Sequence, residues 1–285
     1  MMIAICGAAG NMGQHVIEQL LKRTDATNIV VIARHAQTIN RVPNAAIEVR
    51  QADYLDVTSL ALALSGIDKV LLISSSEVGT LAEPHFNVIA AAQQVGITHF
   101  VYTSLLHADQ SGIAMAQEHV FTEQALFKSG LTYTILRNGW YTEHYTNSLK
   151  SALSQNTLIG AAGEGKISSA LTCEYAEAAA IVLTTPAHEN KIYELAGDQA
   201  FTMTELAAEV SKQTGKNMVY LNLEEPDYRE KLIHIGIEPA IANLMVNADM
   251  GAANGALFDD SGTLQQLLGR HTVSLEQAVK DALAV

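Results

Sequence analysis

Cysteine is scarce in this chain: 285 residues hold two, Cys6 and Cys173. They stand far apart and make no metal-ligand cluster, so each reads as a buried free thiol. No CxxC, HExxH or acidic calcium loop occurs, and the ten histidines are scattered. Positive charge is short as well. Seventeen lysines and arginines against 30 acids leave a formal net charge of −13. Such a surface repels phosphate backbones and anionic lipid, which argues against a nucleic-acid partner. Long apolar runs are missing. Val70-Leu71-Leu72-Ile73 is typical of the longest, far short of the ~18 residues of a membrane span. No basic n-region and apolar stretch lead the chain before Gly7, so no signal peptide is expected and the protein is expected to be cytoplasmic. A homo-oligomer is compatible with this composition.

Apolar residues make up 48% of the chain, enough for a sizeable core. The first half alternates strand and helix patterns. Short apolar strands are expected at 2–6, 28–33, 47–50, 69–73, 98–103 and 131–137. Helices are expected at 14–22, 83–95 and 116–128. Near-continuous apolar strands with intervening helices predict a parallel sheet covered on both faces, an α/β doubly wound (Rossmann) fold. After Trp140 the segments shorten. Helices are expected at 176–183, 227–234, 240–246, 262–268 and 275–283, with a strand at 191–195. Thr202 and Glu205 have capping-box spacing and open a helix to Lys212. The pattern predicts a Rossmann domain over 1–140, joined by 172–197. A smaller, mostly helical C-terminal lobe is predicted over 141–171 and 198–285.

The chemistry is concentrated in Gly7-Ala8-Ala9-Gly10-Asn11-Met12-Gly13, which follows a strand and opens a helix. Gly7 permits the tight turn, Gly10 the approach of a pyrophosphate, and Gly13 close packing of the helix. The helix start offers N–H groups and partial positive charge to phosphates. Arg34 stands 21 residues after Gly13, where an NAD site usually has a carboxylate. Guanidinium there attracts a 2′-phosphate and predicts NADP(H); Arg41 adds charge if its loop folds back. Asp53 has two open roles: accepting from the adenine amino group, or capping the helix near Ser59. Ser74, Ser75 and Ser76 follow the fourth strand and are expected to line the cofactor trough. Gly160 to Lys166 also fits GxxxxGK. Ile167 stands where magnesium needs Ser or Thr, so the segment is rejected as a nucleotide-triphosphate loop.

Longer strings extend this picture. They include Leu72-Ile73-Ser74-Ser75-Ser76-Glu77, Tyr102-Thr103-Ser104-Leu105-Leu106-His107-Ala108-Asp109, Leu136-Arg137-Asn138-Gly139-Trp140-Tyr141 and Tyr193-Glu194-Leu195-Ala196-Gly197-Asp198. Together with the glycine loop they resemble the NmrA-like branch of the atypical short-chain dehydrogenases/reductases, nearest the bacterial NADPH:quinone oxidoreductase (type 2) family. The resemblance runs nearly end to end. It implies an NADPH site formed by residues 7–12, Arg34, the 74–76 serines and Asn138, Gly139, Trp140, Tyr141, Thr142 and Glu143. The Tyr-x-x-x-Lys pair of the main short-chain dehydrogenases is replaced by Met115 and His119, and Thr172 stands where relatives often carry a basic residue. A quinone tolerates loss of the tyrosine acid, because a hydroquinone anion is far less basic than an alkoxide.

The expected activity is therefore hydride transfer from NADPH to a quinone or similar small electrophile. Candidate catalytic residues are Ser104, His119, Asn138 and Tyr141. Asn138 holds the nicotinamide carboxamide in this reading, and Trp140, Tyr141 and Tyr145 either stack on a flat ring or pack internally. His119 and Glu123 lie i, i+4 on one helix face, within reach of each other for a relay or a structural contact. Water supplies the final proton, and neither metal nor flavin is expected. A second reading is an NADP-binding redox sensor without turnover.

Overall fold

The computed structural model describes residues 1–34, 45–74 and 82–284. The chain divides into two compact units. The first comprises 1–109, 115–138 and 172–194, and the second 110–114, 139–171 and 195–285.

The first unit holds a twisted sheet whose strand order is β3-β2-β1-β4-β5-β6-β8. The strands are β1 (Ile3–Cys6), β2 (Ile29–Ala33), β3 (Glu48–Gln51), β4 (Lys69–Leu72), β5 (His99–Leu105), β6 (Tyr133–Asn138) and β8 (Lys191–Leu195). The pairs from β3 through β6 are all parallel. Between them run α1 (Asn11–Leu21), α2 (Val57–Ala63), α3 (Ala82–Val95) and α4 (Ala116–Lys128), with α7 (Thr172–Thr184) before β8. Side-chain alternation divides the strands between two layers. Ala4, Cys6, Val30, Ile32, Val70, Leu72, Phe100 and Tyr102 join the core beneath α2, α3 and α4. On the other layer α1 packs with α7. The sheet order reverses between β1 and β4, and such a switch point is where open α/β sheets bind ligands. The predicted Rossmann fold is the observed one.

The second unit pairs β7 (Thr157–Gly160) with β9 (Val219–Asn222) in parallel. Around them stand α5 (Glu143–Thr146), α6 (Leu149–Gln155), α8 (Met203–Thr214), α9 (Glu225–His234), α10 (Pro239–Ala253), α11 (Thr263–Leu268) and α12 (Leu275–Ala284). The capping box at Thr202 and Glu205 is formed in both directions. Helix α10 runs seven residues past the expected stop at Val246, and in that extension Asp249 is buried and hydrogen-bonded. Helix α1 starts three residues before the expected Gln14, with Gly10 as its N-cap. Cys6 is buried, but Cys173 is only partly so.

Candidate active site

The glycine loop is built around one peptide. Gly7 takes φ +90, and a Cβ there would sit 3.0 Å from the Ile73 Cβ. Its carbonyl accepts from the Gly10 N–H at 3.2 Å, and its own N–H donates to the Tyr54 hydroxyl at 3.1 Å. That hydroxyl in turn donates to the Ile32 carbonyl at 3.4 Å, tying the ends of β1 and β2 together. Burial holds the Tyr54 phenol protonated, with its pKa far above the usual value, and pushes the Cys6 thiol beside it up to about 12. Gln14 clamps the Ala8 carbonyl at 2.7 Å. At Gly13 a Cβ would lie 2.5 Å from the Ala8 Cα, so only glycine lets α1 start this close to the loop. No side chain caps α1 and no acid sits in its first turn. The first N–H groups of a helix have no partner within it, and here their partial positive charge meets no carboxylate of the helix itself.

Arg34 follows β2 on the surface. Asp53, also exposed, follows β3; its Oδ1 accepts from the Leu55 N–H at 2.9 Å. Of the two roles open to it, capping belongs instead to Asp56, whose Oδ1 accepts from the Thr58 N–H. Asp53 is three residues too early to reach that helix's first amides, although its own N–H donates to Ser59 Oγ at 3.0 Å. Ser74 N–H donates to Thr103 Oγ1 at 2.9 Å, at the carboxyl ends of β4 and β5. Ser75, Ser76 and Arg41 lie outside the described residues.

Two expected catalytic groups, Ser104 and His119, are tied to buried partners in the first unit. Ser104 and Tyr102 share the strand face under α4. Ser104 Oγ donates to Glu123 Oε1 at 2.6 Å, so its proton is committed to a buried carboxylate. His119 does not bond Glu123. Its Nδ1 lies 2.8 Å from the Tyr102 hydroxyl, and burial, with His85 nearby, pushes the imidazole down to about 3. It is neutral and 4% exposed, which removes it as a proton donor at ordinary pH. Glu123 is instead gripped by Arg137, Nε to Oε1 at 2.9 Å and Nη2 to Oε2 at 2.7 Å. The same guanidinium donates to Asp109 and Glu194, each at 2.8 Å. An arginine within an apolar strand is the sequence signal for this network, yet its partners are scattered over 85 residues.

Asn138, the last residue of β6, is 4% exposed. Its amide nitrogen lies 3.9 Å from Met12 Sδ, and among the described residues its Oδ1 has no hydrogen-bond partner. A buried carbonyl oxygen is rarely left so. Such an oxygen can accept from a ligand N–H.

In the second unit the segment from Gly139 is fixed by its backbone. Gly139 N–H donates to Leu195 O at 2.7 Å, and Thr142 N–H to Ala170 O at 2.9 Å. Thr142 Oγ1 meets Ser169 Oγ at 2.8 Å. Tyr141 stacks on His144 at 5.6 Å, Trp140 lies 5.4 Å from the same ring, and Glu143 opens α5. Tyr145 is core rather than a stacking platform: it is 8% exposed and packs edge-on against Phe201.

A glycine loop that opens an uncapped helix at the switch point of a parallel sheet, with an orphaned amide acceptor on β6, defines a nicotinamide-dinucleotide protein. The chain belongs to the NAD(P)H-binding family, whose model matches residues 7–180. Among its relatives, quinone oxidoreductase 2 of Escherichia coli (strain K12) is 50% identical over 98% of this chain and 97% of its own. The crystal structure of the Escherichia coli NADPH-dependent quinone oxidoreductase complexed with NADPH superposes with a TM-score of 0.97 at 49% identity, covering 99% of this chain and 100% of that one. The Citrobacter triphenylmethane reductase complexed with NADP(H) gives 0.95 at 32% identity, over 99% and 100%.

Proposed function

We propose that the protein is an NADPH-dependent oxidoreductase that reduces a quinone. The observation that carries the reading is the buried Asn138 Oδ1 at the carboxyl end of β6, which has no hydrogen-bond partner among the described residues, in the same unit as the glycine loop. Bound NADPH supplies the hydride. The chain's part is to hold and orient. The α1 amides and the loop around Gly10 take the pyrophosphate, Arg34 takes the 2′-phosphate, and Asn138 accepts from the carboxamide. Tyr141 and Trp140, in the segment from Gly139 to Glu143, are flat aromatic rings of the kind on which a quinone stacks. A quinone suits a site whose Ser104 and His119 cannot donate. Full-length identity of 50% to a quinone oxidoreductase supports the same choice.

Stopped-flow oxidation of NADPH by simple benzoquinones, against an uncatalysed control, tests the proposal. Acceleration above the control supports turnover. Tight NADPH binding without acceleration replaces the enzyme by an NADP-binding sensor.

A further inference from the structure

The ion network behind β6 ends on a histidine that the reaction, as described so far, leaves unused. His107 follows β5 at the carboxyl rim of the sheet. The preceding Leu106 N–H donates to the carbonyl of Asn138 at 2.9 Å, so His107 is one residue from a direct contact with the nicotinamide anchor. Its φ is +51, a left-handed conformation that side-chain-bearing residues seldom adopt and that surrounding structure must enforce. Glu194 enforces it. Glu194 Oε2 accepts the His107 N–H at 2.8 Å and lies 3.7 Å from the ring Nδ1, while its Oε1 is held by Arg137 at 2.8 Å.

Glu194 lies beside the ring and, through Arg137, joins charges from several elements. Glu194 stands on β8, Arg137 on β6, Asp109 on the turn after β5, and Glu123 behind Arg137 on α4. The Glu194 carboxylate, 3.7 Å from Nδ1, fixes the direction in which the ring points. The side chain is 31% exposed, so it exchanges protons with solvent, unlike the buried His85, His99 and His119.

We propose that His107 is the proton donor for quinone reduction, with Glu194 as its positioning residue and Arg137 holding Glu194. The inference rests on the quinone reading above. The hydride of NADPH passes to the quinone, and the N–H bond of the imidazolium breaks as an O–H bond forms on the quinone oxygen. The products are NADP+ and hydroquinone, and solvent returns the proton to the ring. His107 thus takes the place assigned to water by the sequence alone.

The test is the pH profile of kcat and its solvent deuterium isotope effect, for wild type, His107→Asn and Glu194→Gln. Asparagine tolerates left-handed φ, so His107→Asn keeps the turn; an NADPH Kd within about twofold of wild type checks that it does. Expected in His107→Asn is a kcat about 10- to 100-fold lower near neutral pH, the low end of general acid catalysis because the hydroquinone anion is a weak base. The limb by which wild-type kcat falls as pH rises disappears in that variant. Glu194→Gln keeps the limb, because the ring is still present, and lowers kcat less than His107→Asn does. An unchanged kcat and profile in His107→Asn overturns the proposal while leaving quinone reduction intact. A wild type that binds NADPH but reduces no quinone removes the underlying reading, and the proposal with it.

Discussion

The tetrapeptide Gly-Ala-Ala-Gly occurs twice, at 7–10 and at 160–163, and both copies leave the end of a β-strand. In the first unit the loop enters α1, whose opening amides face no side-chain cap. In the second unit no helix comes next, and the amides are already taken. Ala161 N–H donates to Asp249 Oδ2 at 2.8 Å, Ala162 N–H to the Tyr220 hydroxyl at 3.0 Å, and Gly163 N–H to Asn222 Oδ1 at 2.9 Å. The protein fills that loop with its own carboxylate, phenol and amide. Its later glycine is a packing residue, since a Cβ at Gly165 would lie 2.2 Å from the Ala252 carbonyl. The same four residues open a helix with uncapped amides or bury an acid according to whether a helix continues the chain beyond them.

The contrast can be broken by substitution. Gly13→Val puts a side chain into the Ala8 backbone and should raise the Kd for NADPH more than about 100-fold, since it removes the loop's geometry rather than one hydrogen bond. Gly165→Ala should leave that Kd unchanged and lower stability by about 1–3 kcal/mol. Fluorescence titration with NADPH and urea unfolding of both variants check the pair. Loss of NADPH affinity in Gly165→Ala would erase the distinction.

Arg34 sharpens it next. A charge-assisted bond to the 2′-phosphate contributes roughly 1.5–3 kcal/mol, so wild type should prefer NADPH over NADH by about 10- to 100-fold. Arg34→Glu should abolish or reverse that preference. Equal affinity of wild type for both cofactors contradicts the assignment.

Buried titratable groups also oppose each other in acid. Burial pushes His85 and His99 down to about 4 and His119 down to about 3. Their folded pKa values lie below the ordinary 6.5, so the unfolded chain binds more protons, and the stability they hold above pH 6.5 is lost as pH falls below it. Asp249 runs the other way. Burial raises its carboxyl from 3.8 to about 6, so its contribution is present at low pH and is lost as pH rises through that window. Near pH 5 these three histidines favour unfolding by up to three protons and Asp249 favours the fold by one, so these four groups together contribute a slope of about 2.7 kcal/mol per pH unit; His144, whose pKa burial also lowers, acts in the same direction as the three. Urea midpoints across pH 4–7 should show that fall, and Asp249→Asn should steepen it. A flat profile would mean that the histidines are not buried as neutral rings. The smallest effect is expected at His119: His119→Ala should lower kcat less than about tenfold, measured at saturating NADPH, since a neutral ring bonded to Tyr102 donates nothing.

The fold of the first unit is legible because its signals are local. Apolar runs end at Gly96 and Gly130, and α4 and β8 start and stop where periodicity puts them. Strands β7 and β9 escape a sequence reading because each has four residues, three of the four in β9 exposed, and their partners are 62 positions apart. Within the site, Gly7 and Gly13 announce a backbone requirement through their spacing between a strand and a helix. Ser104, His119 and Glu123 mislead, because helix spacing puts His119 and Glu123 together while Arg137, from another strand, takes the carboxylate. Tyr54 carries no motif at all; its role comes from the fold bringing its hydroxyl to the Gly7 amide.

The most direct test of the account is a single stopped-flow experiment with wild-type protein, NADPH and a simple benzoquinone, run beside the protein-free reaction and repeated with NADH. The account predicts quinone-dependent oxidation of NADPH well above the protein-free rate, and a slower reaction with NADH at equal subsaturating concentration. Tight binding of NADPH with oxidation no faster than the control would contradict it.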